Sequence, residues 1–444
     1  MNFPKILIYG QPFNNRHGGG ITLSNLFKGW DKSKIAVADT GHMMDNVTTD
    51  ICDTYFQLGS EEFKWRFPFN YIQRKFPSGL KQFDIKSVDS PLVVKKKFRY
   101  LIVNNVFYPA LEWLGLFHCV SRIRMSSAFK KWLTEYNPEV LYIQVSTREM
   151  VLFALDLIDY LKIPVAIHFM DDWPSTISRK GLFKTFWEKR IDVELKTLLN
   201  RADLLLSISD AMSTEYKRRY GKIFIPFHNP IDTDKFLRIP EKQSYNQNEF
   251  RILYIGRIGI ANRESIFSFS RFISEMTHKS LNVLFHIYTP NIDSPELFRI
   301  KKLRNVSVFP AVEHEEIPVL LQSYDLLFLP LDFSRDGIKY AKYSMPTKAS
   351  EYMISGTPIL VYSPAETAIS EFFIQNECGY CVTTNSSNEL VIAVEFLIDN
   401  EKYRNKISSN AVYIAMDRFD VSKVRSGFQK LLVNLKNTLK DVHE

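Results

Sequence analysis

Short apolar runs alternate with stretches of helical spacing along almost the whole chain, and this alternation limits the fold more than any other feature. Runs at 5–9, 35–38, 137–144, 163–169, 202–209 and 223–227 are separated by helical patterns at 21–30, 147–161, 182–200 and 210–220. A run without polar alternation is the mark of a strand covered on both faces, and strands joined through helices lie parallel. The pattern breaks at His228-Asn-Pro-Ile-Asp232 and the polar stretch Glu241–Glu249. It then restarts, with strands expected at 251–256, 283–288, 306–309, 326–329, 359–361 and 379–382. The expectation is α/β, with two doubly wound Rossmann-like domains, 1–230 and 231–420. The end of the chain (Val421, Val424, Phe428, Leu431, Leu432, Leu435) reads as one amphipathic helix.

A chain of 444 residues is long enough for two cores, and 57 basic against 49 acidic residues leave a net charge of +8. That excess suits an anionic ligand or an anionic membrane surface, and no nucleic-acid motif accompanies it. Cys52, Cys119, Cys378 and Cys381 do not make a disulfide framework. Cys378-Gly-Tyr-Cys381 has no second pair for zinc, so buried structural thiols are expected. The amino terminus runs straight into a strand without the layout of a signal peptide, which points to the cytoplasm.

Residues 340–361 concentrate the chemistry. The order is loop, short helix, tight turn and buried strand. Ser344 or Thr347 is the expected helix cap, with Pro346 in the first turn. Gly356 and Pro358 end the helix before Ile359-Leu-Val361. A helix start outside the carboxyl end of a parallel strand is an anion site, and Lys348 adds charge to it. Glu351, one turn on, can accept bonds from sugar hydroxyls. A second anion-cradling arrangement is strand 5–9 followed by a long loop ending in Gly18-Gly19-Gly20, which reads equally as a surface loop. The stretch 95–131 has basic ends, Lys95–Arg99 and Arg122–Lys131, around an aromatic apolar section. Asn104, Asn105, Pro109, Glu112 and His118 interrupt that section, which excludes a membrane span. It reads either as a segment in the lipid headgroup region or as a core helix pair with solvated basic ends.

Taken together, these pieces resemble glycosyltransferase family 4, retaining enzymes of the GT-B fold, in a form found among bacterial polysaccharide transferases. The matching pieces are the glycines at 18–20, the strand ending in His168, Ser209-Asp-Ala-Met with Asn229-Pro-Ile-Asp232, Gly256-Arg257, and Pro346–Pro358. The resemblance implies two domains facing across a cleft, with the carboxyl-terminal helix packed back on the first. It implies Arg257 and Arg263 as ligands of a donor diphosphate, Glu351 on the ribose and His168 near the donor sugar. Gly19, Gly20, Gly256, Ser344, Pro346, Thr347 and Lys348 would complete the donor site. Arg263 reads otherwise as a solvated helix residue, and His168 as a structural imidazole. The family's first motif carboxylate would fall at Tyr343, where this chain departs from the pattern. Asp171, Asp172, Asp332, Arg335 and Asp336 are further residues expected on cleft loops.

The reaction implied is transfer of a sugar from a nucleotide diphosphate sugar, UDP-linked in the favoured form, to a hydroxyl of a glycan or lipid-linked acceptor. It would proceed with retention and without a metal or other cofactor. Asp232-Thr-Asp234 has metal spacing but lies in the inter-domain segment. The acceptor would meet the first domain, and 95–131 would meet the inner leaflet of a membrane. Two other readings stay open: a nucleotide-sugar 2-epimerase, and a non-catalytic partner subunit, for which Tyr343 is the support.

Overall fold

The computed structural model describes residues 2–14, 18–41, 43–81, 106–177, 181–237, 248–278, 281–292, 294 and 297–438. The described chain forms two compact units. The first takes residues up to Ser207, then Tyr216–Ile225 and the chain from Gly427; the second takes Ile208–Glu215 and Pro226–Ser426.

The first unit is built on an α/β sheet. Strands β1 (Ile6–Tyr9), β2 (Ile35–Thr40) and β3 (Thr54–Leu58) run outward in one direction; a small pair β4 (Phe63–Trp65) and β6 (Ser121–Ile123) stands apart from them. Strand β5 (Gly79–Leu80) adds antiparallel to β3. Strands β7 (Val140–Ile143), β8 (Val165–Phe169), β9 (Leu204–Ser207) and β10 (Ile225–Pro226) run outward on the other side, giving the order 10-9-8-7-1-2-3-5. Every residue of β1, β2, β7 and β8 is buried, as their unbroken apolar runs predict.

Three expectations change here. The glycines at 18–20 do not end a loop but form the first turn of the helix Gly18–Phe27. A Cβ on Gly20 would sit 2.1 Å from the buried Asn14 amide, and one on Gly19 2.9 Å from the tip of Gln11, so residues 11–14 lie against the helix start and Gly20 leaves the room they need. The run 223–227 shortens to Ile225–Pro226. In 95–131, residues up to 105 lie outside the described chain; beyond them stand two short helices, Tyr108–Trp113 and Phe117–Val120, and strand β6. No helix of the described residues is long and apolar enough to cross a membrane. The final helix, Val421–Thr438, packs from Gly427 onward within the first unit, with Phe428 edge-on to Phe27 and Tyr142.

The second unit has six parallel strands in the order 13-12-11-14-15-16, namely β11 (Glu249–Ile255), β12 (Asn282–Thr289), β13 (Val306–Pro310), β14 (Leu326–Pro330), β15 (Ile359–Tyr362) and β16 (Tyr380–Val382). Side chains alternate between its two faces. Leu253, Leu327, Leu329, Ile359 and Val361 enter one core, while Ile252, Tyr254, Phe328, Leu360 and Tyr362 enter the other. Burial pushes the thiols of Cys378 and Cys381 up to about 12, which keeps them protonated and inert. The order reverses between β11 and β14, which pair through Ile252–Leu326 and Leu253–Leu327. That is the switch point, where loops part to opposite sides and leave a crevice at the strand ends. On one face Phe269 stacks on Phe328 with centroids 3.9 Å apart. Phe269→Ala is expected to cost about 3–5 kcal/mol in urea unfolding, and a loss below about 1 kcal/mol would show that this stack does not hold the helix to the sheet.

Candidate functional site

Two loops leave the switch point of the second unit side by side. The first follows β11. Gly256 has φ +133°, which calls for glycine, and a Cβ there would lie 2.7 Å from Lys348 Nζ and displace the ammonium. The loop then closes on itself. Asn262 donates to the Tyr254 hydroxyl (2.8 Å) and to the Arg257 carbonyl (3.1 Å), and its own Oδ1 accepts from Gly259 N (2.9 Å). The Tyr254 hydroxyl donates to the same Arg257 carbonyl at 2.5 Å. The helix Arg263–Glu275 starts here, and its first-turn amides Glu264 N and Ser265 N are held by the Asp332 carboxylate at 3.2 and 2.8 Å. The loop presents the exposed side chains of Arg257 and Arg263.

The second loop follows β14. Residues 335–341, expected on a loop, form the helix Arg335–Ala341, because Ser334 Oγ accepts from Gly337 N and caps it. Asp332 is buried as the cap just described. The helix Thr347–Ile354 comes next. Neither Ser344 nor Thr347 caps it: the cap position is Pro346, whose ring offers no acceptor, and the first turn carries no acid. An uncapped helix start directs amide N–H groups and the positive end of the dipole outward.

Lys348 sits in this first turn, half-buried, with Nζ 2.9 Å from the Tyr254 hydroxyl and 4.3 Å above the Tyr254 ring. It bonds that neutral hydroxyl and not Glu351. Burial lowers its ammonium to about 8, Glu351 offsetting part of the shift, and burial raises the Glu351 carboxyl to about 7 against the pull of Lys348. Tyr352, the next residue, turns inward and accepts from Ile255 N at 3.0 Å, tying this helix to the end of β11.

Two motif pieces from far along the chain fasten the segment before the helix. Ser209 Oγ donates to the Tyr343 carbonyl at 2.6 Å, and Asn229 Nδ2 to the Met345 carbonyl at 3.2 Å. The structure therefore gathers Gly256, Arg257, Arg263, Ser344, Pro346, Thr347, Lys348 and Glu351 around one switch point. Tyr254 and Asn262, which tie the two loops together, were not singled out from the sequence: a strand tyrosine and a loop asparagine carry no spacing signal.

His168, Gly19 and Gly20 lie in the first unit. His168 is 1% exposed, on β8 and not beyond its end. Gln144 Nε2 donates to the Tyr142 hydroxyl (2.9 Å), which lies 2.7 Å from His168 Nδ1, and burial lowers the imidazole to about 3. Burial keeps the imidazole neutral, and its Nε2 is buried without a hydrogen-bond partner. Asp172 is likewise committed, accepting from both terminal nitrogens of Arg219 at 2.9 and 3.0 Å and from the Tyr216 hydroxyl.

Residues 238–412 match the family model described as glycosyl transferases group 1. No curated protein matches the chain. Among known structures, HepE (Alr3699) of Anabaena in complex with UDP and glucose is 15% identical, with 97% of this chain and 99% of that one covered and a TM-score of 0.59. Sucrose-phosphate synthase of Thermosynechococcus elongatus is 11% identical, with 97% and 98% covered and a TM-score of 0.61. WaaG, a glycosyltransferase involved in lipopolysaccharide biosynthesis, is 12% identical, with 96% and 99% covered and a TM-score of 0.58. The fold is the two-unit α/β fold of these proteins, GT-B, as expected from the sequence.

Proposed function

We propose that the chain is a glycosyltransferase that moves a sugar from a nucleotide diphosphate sugar to a hydroxyl of a glycan or lipid-linked acceptor, with retention at the anomeric carbon. One observation carries the reading. Lys348 is a half-buried cation without an anionic bonding partner, at an uncapped helix start, beside Arg257 and Arg263 on the neighbouring loop. A site that keeps a cation unpaired in this way is built for an anion that arrives with the substrate.

The chemistry follows from charge. As the glycosidic bond breaks, negative charge collects on the departing diphosphate. Donors already in place there lower the barrier without reorganising. Arg257 and Arg263 supply forked donors, and Lys348 with the amides at 347–348 supplies the rest, so the cationic side chains carry the stabilisation in this reading. Glu351 accepts from the ribose hydroxyls. HepE was crystallised with UDP, which favours a uridine donor here. The family match and the structural relatives support transfer over a non-catalytic subunit; Tyr343, standing where a carboxylate was expected, is the observation on the other side.

Calorimetric titration with UDP, GDP and ADP tests the reading. One nucleotide is expected to bind, with Lys348→Met and Glu351→Ala each weakening it by roughly tenfold or more, the scale of a lost charged hydrogen bond. Failure of all three to bind would overturn the proposal. The pH dependence has a definite sign. Lys348 is held at about 8, and only its ammonium form attracts phosphate. Affinity should therefore fall about tenfold per pH unit above about 8, with proton uptake on binding. Lys348→Met should abolish that slope, and an unchanged slope in this variant would assign the titration to another group.

A further inference from the structure

We propose that Tyr254 is a positioning residue of the anion site: its one hydroxyl sets the place of both cationic arms, the Arg257 loop and the Lys348 ammonium, and so matches the site to two linked phosphates. The inference rests on the reading of this site as a diphosphate site and adds to it a residue that acts through its neighbours.

The hydroxyl is saturated. Tyr254 is fully buried on β11. A phenol has one proton to give and two lone pairs to offer. The proton goes to the Arg257 carbonyl at 2.5 Å, which can only accept. The lone pairs take Asn262 Nδ2 at 2.8 Å and Lys348 Nζ at 2.9 Å. Asn262 cannot turn, because its Oδ1 accepts from Gly259 N at 2.9 Å and leaves Nδ2 to face the tyrosine. Every bond at the hydroxyl therefore has a fixed direction, and Lys348 must donate. An ammonium carries three protons. One goes to Tyr254, whose ring lies 4.3 Å from Nζ and closes one side together with Gly256. The other two are left for a ligand.

Neutrality matters as much as direction. Burial holds the phenol well above its ordinary range, so it does not ionise at any working pH. A carboxylate in this place would hold the lysine as firmly and neutralise it, and an incoming phosphate would have to compete. Tyr254 fixes the ammonium and leaves its charge to the ligand. Glu351, on the lysine's own helix, is the charged group that acts on the ammonium, and the Tyr352 hydroxyl is engaged with Ile255 N.

The two arms come from different loops, one after β11 and one after β14. A single phosphate can be met by one arm. Two linked phosphates meet both, so such a ligand gains most from arms that are already locked together. The bridging hydroxyl is in this way a device that favours diphosphates over monophosphates.

Calorimetry of the full chain with UDP, UMP and inorganic pyrophosphate tests this. Tyr254→Phe keeps the ring and removes the hydroxyl. It is expected to weaken UDP and pyrophosphate roughly tenfold, the scale of a lost hydrogen bond to a charged group, and UMP by less than about threefold. The pH at which UDP affinity begins to fall should move below that of the wild type, because the bond favours the charged lysine and its loss lowers the pKa. Asn262→Ala loosens the Arg257 side and leaves the Lys348 bond in place, so it should narrow the preference for UDP over UMP without moving that pH. Unchanged UDP affinity in Tyr254→Phe, or equal weakening of UDP and UMP with the pH unmoved, would overturn the proposal. If Tyr254→Phe does not fold, Asn262→Ala decides, and an unchanged preference for UDP over UMP overturns it. Pyrophosphate bound with the expected dependence on Tyr254, but no nucleotide bound, would support the positioning role and overturn the nucleotide reading. No binding of any of the three to the wild type would overturn both.

Discussion

The second unit is organised around a cation that the protein does not neutralise. Lys348 is drawn toward the interior and bonded to a tyrosine hydroxyl, with burial lowering its ammonium to about 8. A buried charge of this kind costs free energy in the empty protein, and an incoming anion relieves that cost. The surrounding bonds hold the lysine in place. Tyr254 comes from β11, Gly256 leaves room for the ammonium, and Tyr352 fixes the helix to the end of the same strand. The strand order puts all three at the switch point, where the parallel sheet opens.

The two helices that start there differ in how they are finished, and the difference assigns their work. The helix at Arg263 is closed by Asp332, whose carboxylate takes two first-turn amides. Its dipole is answered from within, so that loop contributes through the side chains of Arg257 and Arg263. The helix at Thr347 has a proline at its cap and no acid in its first turn, and is left open. An internal anion at one start and none at the other makes the second the place for an external one.

The architecture was legible because strands buried on both faces leave unbroken apolar runs, and Gly356-Thr-Pro358 punctuates the central helix in the sequence itself. The site was legible where one short segment carries several groups, as at 344–351. It was not legible where a bond joins distant segments: nothing in the spacing of Tyr254, Asn262 or Asp332 announces that they tie two loops together. The glycines at 18–20 were misread because propensity disfavours glycine in a helix by about 1 kcal/mol, while at Gly20 the close approach of the buried Asn14 amide favours it. His168 could be placed on its strand but not in its surroundings, since burial beside Tyr142 and Phe428 is a tertiary fact.

The departure at Tyr343 takes on a different meaning once the backbone is considered. Ser209 bonds the carbonyl of Tyr343, and Asn229 that of Met345. Any residue supplies a carbonyl, so these anchors are indifferent to the side chain at 343. Loss of the expected carboxylate therefore changes what that position can offer a ligand without loosening the segment that leads into the Thr347 helix. Anchoring and recognition are separable here. Ser209 and Asn229 set where the helix begins through backbone carbonyls alone, whatever side chain stands at 343.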